Sequence, residues 1–282
     1  MLGPMRAILI SILTSALCAT SFADETYAIH ENLHVGEVAT FHVVSDDKSK
    51  TVSSTGGVQT SLNTDAIEDW TVTLTVLDQK NGSSIRSKAQ IDPASFDGSA
   101  DNGAAVKKTP CPYAGKTIIL SRHPDETFSD DFSGNAGDDD SNLLDNFMTP
   151  DEDFYPDHPI AVGQTFDCSD KVAKHSDLGP TDKLLAIGRL DWVKTINGRQ
   201  MAQISVSVAT IYHETGHIEE DVSSSLTLLV DIAAGMIVKS DQTGSSKYTT
   251  APGEATQLTG GTEFTFHADM PRGPATIPDS NP

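Results

Sequence analysis

The sequence has few basic residues, few aromatic residues and, beyond its N-terminus, no long hydrophobic run. Its 282 residues include 19 Lys and Arg against 40 Asp and Glu, a formal net charge of −21 at pH 7. A surface this acidic repels the phosphates of nucleic acids, so we expect no nucleic-acid partner. No apolar run after residue 23 approaches the roughly 20 residues that a membrane helix needs, so we expect no integral membrane segment there.

The motifs of several enzyme classes are also missing. The chain has no G-x-S-x-G nucleophile turn, no G-x-G-x-x-G dinucleotide turn and no C-x-x-C pair. Ser and His are common, but their spacing selects no catalytic triad. With 37% hydrophobic residues the chain can still build a packed core. These observations favour a folded, non-enzymatic protein.

The first 23 residues have the pattern of a signal peptide. Arg6 precedes an apolar run from Ala7 to Ala19, and Ser21-Phe22-Ala23 offers small residues at positions −3 and −1 of a cleavage site. We therefore predict an exported protein, secreted or periplasmic, whose mature chain begins at Asp24. A lipid anchor at Cys18 is disfavoured because the residues before it do not fit the lipoprotein pattern.

Removal of this segment would leave two cysteines, Cys111 and Cys168. Two cysteines in an exported chain favour one disulfide. On the chain-entropy model such a bridge stabilises the fold by roughly 4 kcal/mol. The alternative is two separate buried thiols, and we predict the disulfide.

Two Asn-Gly turns mark the clearest hairpins. Around Asn81-Gly82 a two-residue loop matches the apolar rows, so a type I′ turn is predicted. Around Asn197-Gly198 a two-residue loop would put the rows on opposite faces, so a three-residue loop from 196 to 198 is predicted. The predicted pairs are Val72 with Ile91 and Leu74 with Ala89 in the first hairpin, and Leu190 with Ile204 and Trp192 with Ala202 in the second.

Further alternating segments predict a mainly β fold of antiparallel meanders that form a sandwich, a curved sheet or a partly open barrel. One short helix is expected at Ser141–Met148, and Ser45–Asp65 is expected to be a loose loop or mobile hairpin. A Val-Gly segment, a Trp strand and an Asn-Gly turn occur twice in the same order. The two β blocks are therefore either duplicated halves or an ordinary meander. The predicted divisions are a signal peptide (1–23), a first β block (24–124), an acidic connector with the short helix (125–157), a second β block (158–267) and a disordered Pro-rich tail (268–282).

The string HETGH at 213–217 matches the zinc motif H-E-x-x-H. On a helix this spacing puts both His on one face with the Glu beside a metal-bound water. Here the flanking segments have strand patterns and Gly216 disfavours a helix. We therefore predict that His213, Glu214 and His217 do not form a catalytic zinc site. A zinc-dependent hydrolase that uses these three residues is the alternative.

The acidic connector suggests calcium as a second possible metal. Asp138, Asp140 and Asn142 stand at alternate positions, as in an EF-hand loop. Leu143 replaces the Gly of that loop and Thr149 replaces its bidentate Glu. A solvated acidic linker is the better interpretation. We expect no cofactor, with zinc and calcium as the alternatives.

Residues 156–166 read PDHPIAVGQTF. This string resembles a Pro-x-x-Pro-[Val/Ile]-x-Val-Gly-x-[Ser/Thr]-[Trp/Phe] segment that precedes a β meander in exported bacterial proteins of unknown function. The resemblance covers roughly the second half of the chain. It implies a β-rich exported protein and transfers no activity or site residue.

The predicted function is that of an exported, acidic, non-enzymatic β protein with a role in binding or envelope structure. A sheet fold of this kind can hold an apolar ligand against its inner face. The binding hypothesis requires a continuous apolar cavity. The zinc hypothesis requires a helix at 213–217 and a third ligand.

Overall fold

The computed structural model describes residues 25–55, 57–81, 83–122, 128–132, 151–174, 176, 178–214, 218–250 and 256–269. These residues form fifteen β strands, one 3-10 helix and one α helix. The strands are β1 (Thr26–Tyr27), β2 (Val38–Thr55), β3 (Val58–Lys80), β4 (Ser83–Ile91), β5 (Phe96–Asp101), β6 (Lys107–Pro110), β7 (Thr117–Arg122), β8 (Phe128–Phe132), β9 (Ile160–Ala161), β10 (Thr165–Asp167), β11 (Lys183–Ile196), β12 (Arg199–Glu214), β13 (Ile218–Asp231), β14 (Met236–Thr250) and β15 (Thr256–Asp269); the 3-10 helix is Asp151–Phe154 and α1 is Ser169–Lys174.

Thirteen of the described strands form one antiparallel sheet. Its order is β10-β11-β12-β13-β14-β15-β2-β3-β4-β7-β8, and β5 pairs with β3 and carries β6. The outermost strands of this order, β10 and β8, do not pair with each other, so the sheet is open within the described part of the chain. β1 pairs separately with β9. The predicted mainly β, antiparallel fold with a short helix is confirmed.

The two predicted β blocks belong to the same sheet, because β15 pairs with β2 along fourteen residue pairs from Thr256↔Thr55 to Asp269↔His42. β15 thus extends two residues into the predicted tail. The predicted acidic connector contains β8 and the 3-10 helix. The predicted signal peptide, the predicted helix at Ser141–Met148 and the possible calcium ligands lie outside the described residues. The helix that is described, α1, was not predicted.

The hairpin of β3 and β4 has the predicted register. Val72 pairs with Ile91 and Leu74 with Ala89. Asn81 has a φ of 56°, the left-handed conformation that the first position of a type I′ turn requires. The alternation of apolar residues and the turn chemistry therefore specified this pairing together.

The hairpin of β11 and β12 departs from its prediction in one respect. Leu190 pairs with Ile204 as expected, but Trp192 pairs with Gln203, because a β-bulge lies at Asp191. The turn is the two-residue Asn197-Gly198, with φ values of 52° and 80°. The extra residue that aligns the two apolar rows is thus in the strand and not in the loop.

Hydrogen bonds explain why the bulge lies at Asp191. The Asp191 carboxylate accepts hydrogen bonds from Arg189 Nε at 2.7 Å, from Gln203 Nε2 at 3.2 Å and from Ser205 Oγ. Partial burial opposes ionisation of Asp191, but these donors outweigh it and hold the pKa of the carboxyl below its usual value. A bulge leaves its extra residue without a ladder partner, and these side-chain donors give Asp191 other hydrogen bonds.

Residues Ser45–Asp65 form the outer part of the β2–β3 hairpin and not a loose loop. Their Ser, Thr and Asp side chains give little packing, but the backbone is paired. Ser45–Thr55 of β2 have a neighbour on each side, β3 and β15, whereas β5 reaches only Thr64–Asp69 of β3 and the residues from 58 to 63 pair with β2 alone. These ladder hydrogen bonds keep a polar sequence extended.

Side-chain alternation and register give the sheet one apolar face, which we call the inner face. Two large core clusters lie on it, and a small third cluster brings together Ala39 of β2 and Met236 of β14. The first, on β10–β13, is centred on Leu190, Ile204 and Leu228 and is covered by α1 and by the segment of residues 154–160. The second, on β3, β4 and β7, is centred on Trp70 and Ile118.

The predicted disulfide between Cys111 and Cys168 is absent, and both cysteines are free, buried thiols. Cys168 follows β10 and belongs to the first cluster, where its Sγ donates to the carbonyl of Ala186 at 3.4 Å. Cys111 precedes β7 and belongs to the second cluster. The two residues are therefore committed to cores near opposite ends of the strand order, and the alternative of separate buried thiols holds.

Both thiols are expected to react slowly with a disulfide reagent such as DTNB in the folded protein. Burial raises the pKa of Cys111 and of Cys168 to about 11 each, and the thiolate is the reacting species. In a Cys18→Ser chain, unfolding without reductant should release two reactive thiols together. Thiol titration measures both steps, and finding no thiol in the unfolded, unreduced chain would restore the bridge.

A candidate ligand cavity on the inner face

A cavity of about 560 Å³ lies on the inner face between the two core clusters. This volume is within the roughly 300–1,000 Å³ range of small-molecule sites. Its walls come from β13, β14, β15, β2, β3, β4 and β7, with further residues from the segment before β2 and from the 3-10 helix. The apolar residues of the lining are Leu33, Ala39, Phe41, Val43, Leu74, Val76, Ile85, Leu120, Phe154, Leu226, Leu228, Met236, Ile237, Val238, Phe264, Phe266 and Ala268.

The middle of the cavity combines apolar residues of β2, β13 and β15 with the polar residues Ser45, Ser240 and Gln242, which pair with Phe266 and Ala268. Val43 pairs with Ala268, and Phe266 lies two residues before Ala268 on the same face. Leu226 and Leu228 continue this apolar face on β13. Phe266 and Ala268 are partly exposed in the cavity, whereas Val43, Leu226 and Leu228 are buried in its wall.

A glycine shapes one wall of the cavity. Gly244 on β14 pairs with Phe264 on β15, and the Phe264 ring lies over the space that a Cβ of Gly244 would occupy. The same arrangement occurs where Phe166 lies over Gly188 in the first cluster. An aromatic ring that covers a cross-strand glycine shields the backbone there. In the cavity, packing over Gly244 also orients the Phe264 ring parallel to the wall.

Two segments close the cavity on the side of the first cluster. Phe154 of the 3-10 helix lines the cavity, and Lys171 of α1 holds the residue after it by donating to the Tyr155 carbonyl at 2.8 Å. Lys171 also pairs with Asp157 at 2.6 Å. Lys171 thus connects α1 to the segment that follows the 3-10 helix.

The second segment runs before β2 and crosses the β13–β14 turn. Asn32 N donates to the Ala234 carbonyl, and Asn32 Nδ2 donates to the Ala233 carbonyl, each at 3.1 Å. Leu33, the next residue, lines the cavity. Backbone contacts between this segment and the turn therefore set one boundary of the cavity.

Charged residues differ between the two ends of the cavity. One end is lined by Arg122, Glu31 and Glu37, and by Arg86, which pairs with Ser121 and therefore projects from the face opposite to that of Leu120. The opposite end, the acidic end, is lined by Asp47, with Glu68 and Asp97 beside it on neighbouring strands. Burial, followed by the charges of Asp97 and Asp47, raises the pKa of Glu68, and burial also raises the pKa of Asp47.

The HETGH string is not part of this cavity. His213 and Glu214 are the last residues of β12, where His213 pairs with Glu219, and Thr215-Gly216-His217 lie outside the described residues. The backbone N of His213 donates to Asp182 Oδ1 at 2.8 Å, and its ring lies 3.6 Å from the same atom. His213 and Glu214 are therefore strand residues and do not begin a zinc-binding helix.

Within the described ranges, no group of three or more His, Cys, Asp and Glu side chains is arranged to hold a metal ion. In the same part of the chain no helix combines the length and the apolar character that crossing a bilayer requires. The sequence did not single out the cavity residues. The only signal for them was the apolar alternation of Phe264, Phe266 and Ala268. Alternation within one strand shows which residues share a face, but it does not show which strand lies beside them.

The fold is similar to that of lipovitellin, in a structure described for its lipid–protein interactions. The TM-score is 0.52 over 88% of this chain at 7% sequence identity, and this chain spans 26% of the lipovitellin chain. A DUF1329 family protein from Desulfovibrio piger matches 82% of this chain and 86% of its own at 9% identity, but its TM-score of 0.16 is too low to support a comparison of folds. No family model and no curated protein sequence matches the chain.

Proposed function

We propose that this protein binds an apolar, acyl-chain ligand in the cavity on its inner face and does so without catalysing a reaction. The cavity is the observation that carries this proposal: apolar side chains from seven strands line a space of about 560 Å³ between two packed cores. Burial of an acyl chain there would gain roughly 0.8 kcal/mol for each methylene group removed from water.

Two further observations support a binding role. Soluble proteins seldom expose a large continuous apolar surface unless that surface binds a ligand or another molecule. Lipovitellin, which has a similar fold, is described for its lipid–protein interactions. The signal-peptide pattern at residues 1–23 supports a role outside the cytoplasm, and the resemblance of residues 156–166 to exported bacterial proteins points the same way.

The substitution Ala268→Trp is expected to weaken binding of a neutral apolar dye, N-phenyl-1-naphthylamine, by at least about tenfold, because the indole would fill the middle of the cavity. Ala268 lies there, paired with Val43 and Ser240. Fluorescence titration measures the affinity, since the dye becomes bright in an apolar site.

The matched control is Ala209→Trp. Ala209 is exposed on β12 and alternates with the inner-face residues Val208 and Thr210, so the new indole would lie on the outer face. Dye affinity should be unchanged in this variant. Equal weakening in both variants, or no dye binding to the wild-type protein, would contradict the proposed function.

A further inference from the structure

We propose that loading of the cavity is coupled to the uptake of a proton by Asp47, so that the protein holds its ligand more tightly in mildly acidic than in neutral solution. This inference rests on the proposed function and adds a way in which the binding is regulated. It concerns one carboxyl group on the wall of a largely apolar cavity. A ligand that covers this group either removes a negative charge from water, which is costly, or finds the group protonated.

Asp47 faces the cavity because the alternation along β2 puts it on the inner face. Val43 and Ser45 precede it at intervals of two residues, and all three residues line the cavity. Across the strand pair, Asp47 lies opposite Phe264 of β15. The Phe264 ring leans over Gly244 of β14, which is the side away from β2, so it does not cover the carboxyl group.

No cation balances the charge of Asp47 among the described residues. Its carboxylate accepts a hydrogen bond from Ser45 Oγ at 3.4 Å, a long distance for such a bond. Burial raises the pKa of Asp47 and outweighs the hydrogen bond from Ser45, which lowers it, and the charge of Asp46 raises it further. The ionised form is thus already disfavoured in the empty protein.

The charged groups that face Asp47 from β3 and β5 are acidic as well. Glu68 lies on the same face of β3, where it pairs with Ser45 of β2 and with Asp97 of β5. On the described parts of β14 and β15, the inner-face residues that flank Asp47 are uncharged: Gln242, Gly244, Thr262, Phe264 and Phe266. Ionisation of Asp47 therefore adds negative charge to an acidic neighbourhood.

The lining contains further charged residues, which are Glu31, Glu37, Arg86, Arg122 and Lys239. Glu37 Oε2 accepts a hydrogen bond from the backbone N of His34 at 3.1 Å, and Lys239 Nζ lies 2.9 Å from Asp241 Oδ2. A backbone donor or an opposite charge stabilises the ionised form of such groups. Within the described residues Asp47 has neither, so its charge is the one that a ligand at this end would disfavour.

Loading makes the carboxyl group of Asp47 a weaker acid. A ligand that lies against the group removes water from it, so the pKa of Asp47 is higher in the loaded than in the empty protein. By linkage, the affinity is greatest below the pKa of the empty protein, falls as the pH rises, and is constant above the pKa of the loaded protein. Each unit by which loading raises this pKa corresponds to about a tenfold difference in affinity between the two limits.

Fluorescence titration with diphenylhexatriene tests this coupling. This dye is a hydrocarbon without ionisable or hydrogen-bonding groups, so any pH dependence of its affinity belongs to the protein. Between about pH 8 and about pH 5 the wild-type protein is expected to bind it at least about threefold more tightly at the acidic limit. Circular dichroism at each pH shows that the protein stays folded.

Asp47→Asn should remove the pH dependence and bind the dye at about pH 8 as tightly as the wild type does at about pH 5. Asn keeps an oxygen that can accept the hydrogen bond from Ser45, but it does not ionise. Asp46→Asn is the matched control, because it removes the same charge one residue away. Asp46 lies on the outer face, where Lys48 Nζ is 2.9 Å from its Oδ1. This variant should keep most of the wild-type pH dependence.

The outcomes separate the two proposals. If the dye does not bind to the wild-type protein at any pH, the proposed function fails. If it binds with equal affinity across the range, the binding function stands and the coupling to a proton is wrong. A pH dependence that persists in Asp47→Asn, or that is lost equally in Asp46→Asn, would also overturn the inference.

Discussion

Trp70→Ala is expected to lower the free energy of unfolding by about 3–5 kcal/mol, the usual cost of removing a fully buried large aromatic side chain. Trp70 is 2% exposed in the second core cluster, and its ring meets Tyr113 edge to face at a centroid distance of 6.0 Å. Its Nε1 donates to Asp97 Oδ1 at 2.6 Å. The substitution therefore leaves a cavity and a carboxylate without its indole donor.

Urea unfolding followed by circular dichroism measures this loss. Trp192, the second tryptophan of the chain, supplies the control: it is only partly buried, with Lys194 Nζ 4.6 Å from the centre of its ring. Trp192→Ala should cost about 1 kcal/mol or less, in the range of partly exposed sites. A Trp70→Ala protein within about 1 kcal/mol of the wild type would show that the second cluster is not a tightly packed core.

Gly235→Ala is expected to cost about 3 kcal/mol or more, because it combines backbone strain with a collision between two segments. Gly235 has a φ of 61° in the β13–β14 turn. A Cβ there would overlap the carbonyl oxygen of His30 and come within 2.7 Å of the Cα of Glu31. The segment before β2 would have to move away from the turn.

Gly198→Ala isolates the strain from the collision. Gly198 has a φ of 80°, and a Cβ at that position has no neighbour within 4 Å. This variant should lose only the roughly 1–2 kcal/mol of left-handed strain. Thermal unfolding compares the two, and limited proteolysis within residues 28–34 reports whether the segment is released in Gly235→Ala. Equal losses in the two variants would show that the segment is not held by the turn.

Local patterns predicted part of this fold well, and the β3–β4 hairpin shows why. Its apolar rows and its Asn-Gly turn agree on one register, Val72 with Ile91, so no distant information was needed. In the β11–β12 hairpin the same two signals conflict by one residue. The donors around Asp191 resolve that conflict by a bulge in the strand, and their convergence is a property of three-dimensional structure.

The cavity could not be predicted because its walls are assembled from distant parts of the chain. Val43 and Ala268 are paired neighbours in the sheet although more than two hundred positions separate them. Each strand shows an apolar face, but no local signal states which strand lies beside it. The missed helix α1 has a different cause: it is six residues long with one buried residue, Val172, which is too short for a helical period.

The place of β15 in the sheet has a consequence for how the protein reaches its native state. β15 comes last among the described strands in chain order, yet it lies in the middle of the sheet between β14 and β2. The strands on each side of it pair mostly with their neighbours in sequence, and the exceptions, β4 with β7 and β5 with β3, still join segments within the same half. The pairing of β15 with β2 instead closes a loop of about two hundred residues, so we expect it to form after the pairings within each half. Until that step the wall of the cavity is interrupted, with Phe264 and Phe266 separated from Phe41 and Val43.

Two open edges, from β2 and from β14 or β15, are then exposed to pairing with other chains. A ligand that bridges the two halves would favour the joined state, so loading and the last folding step are thermodynamically linked.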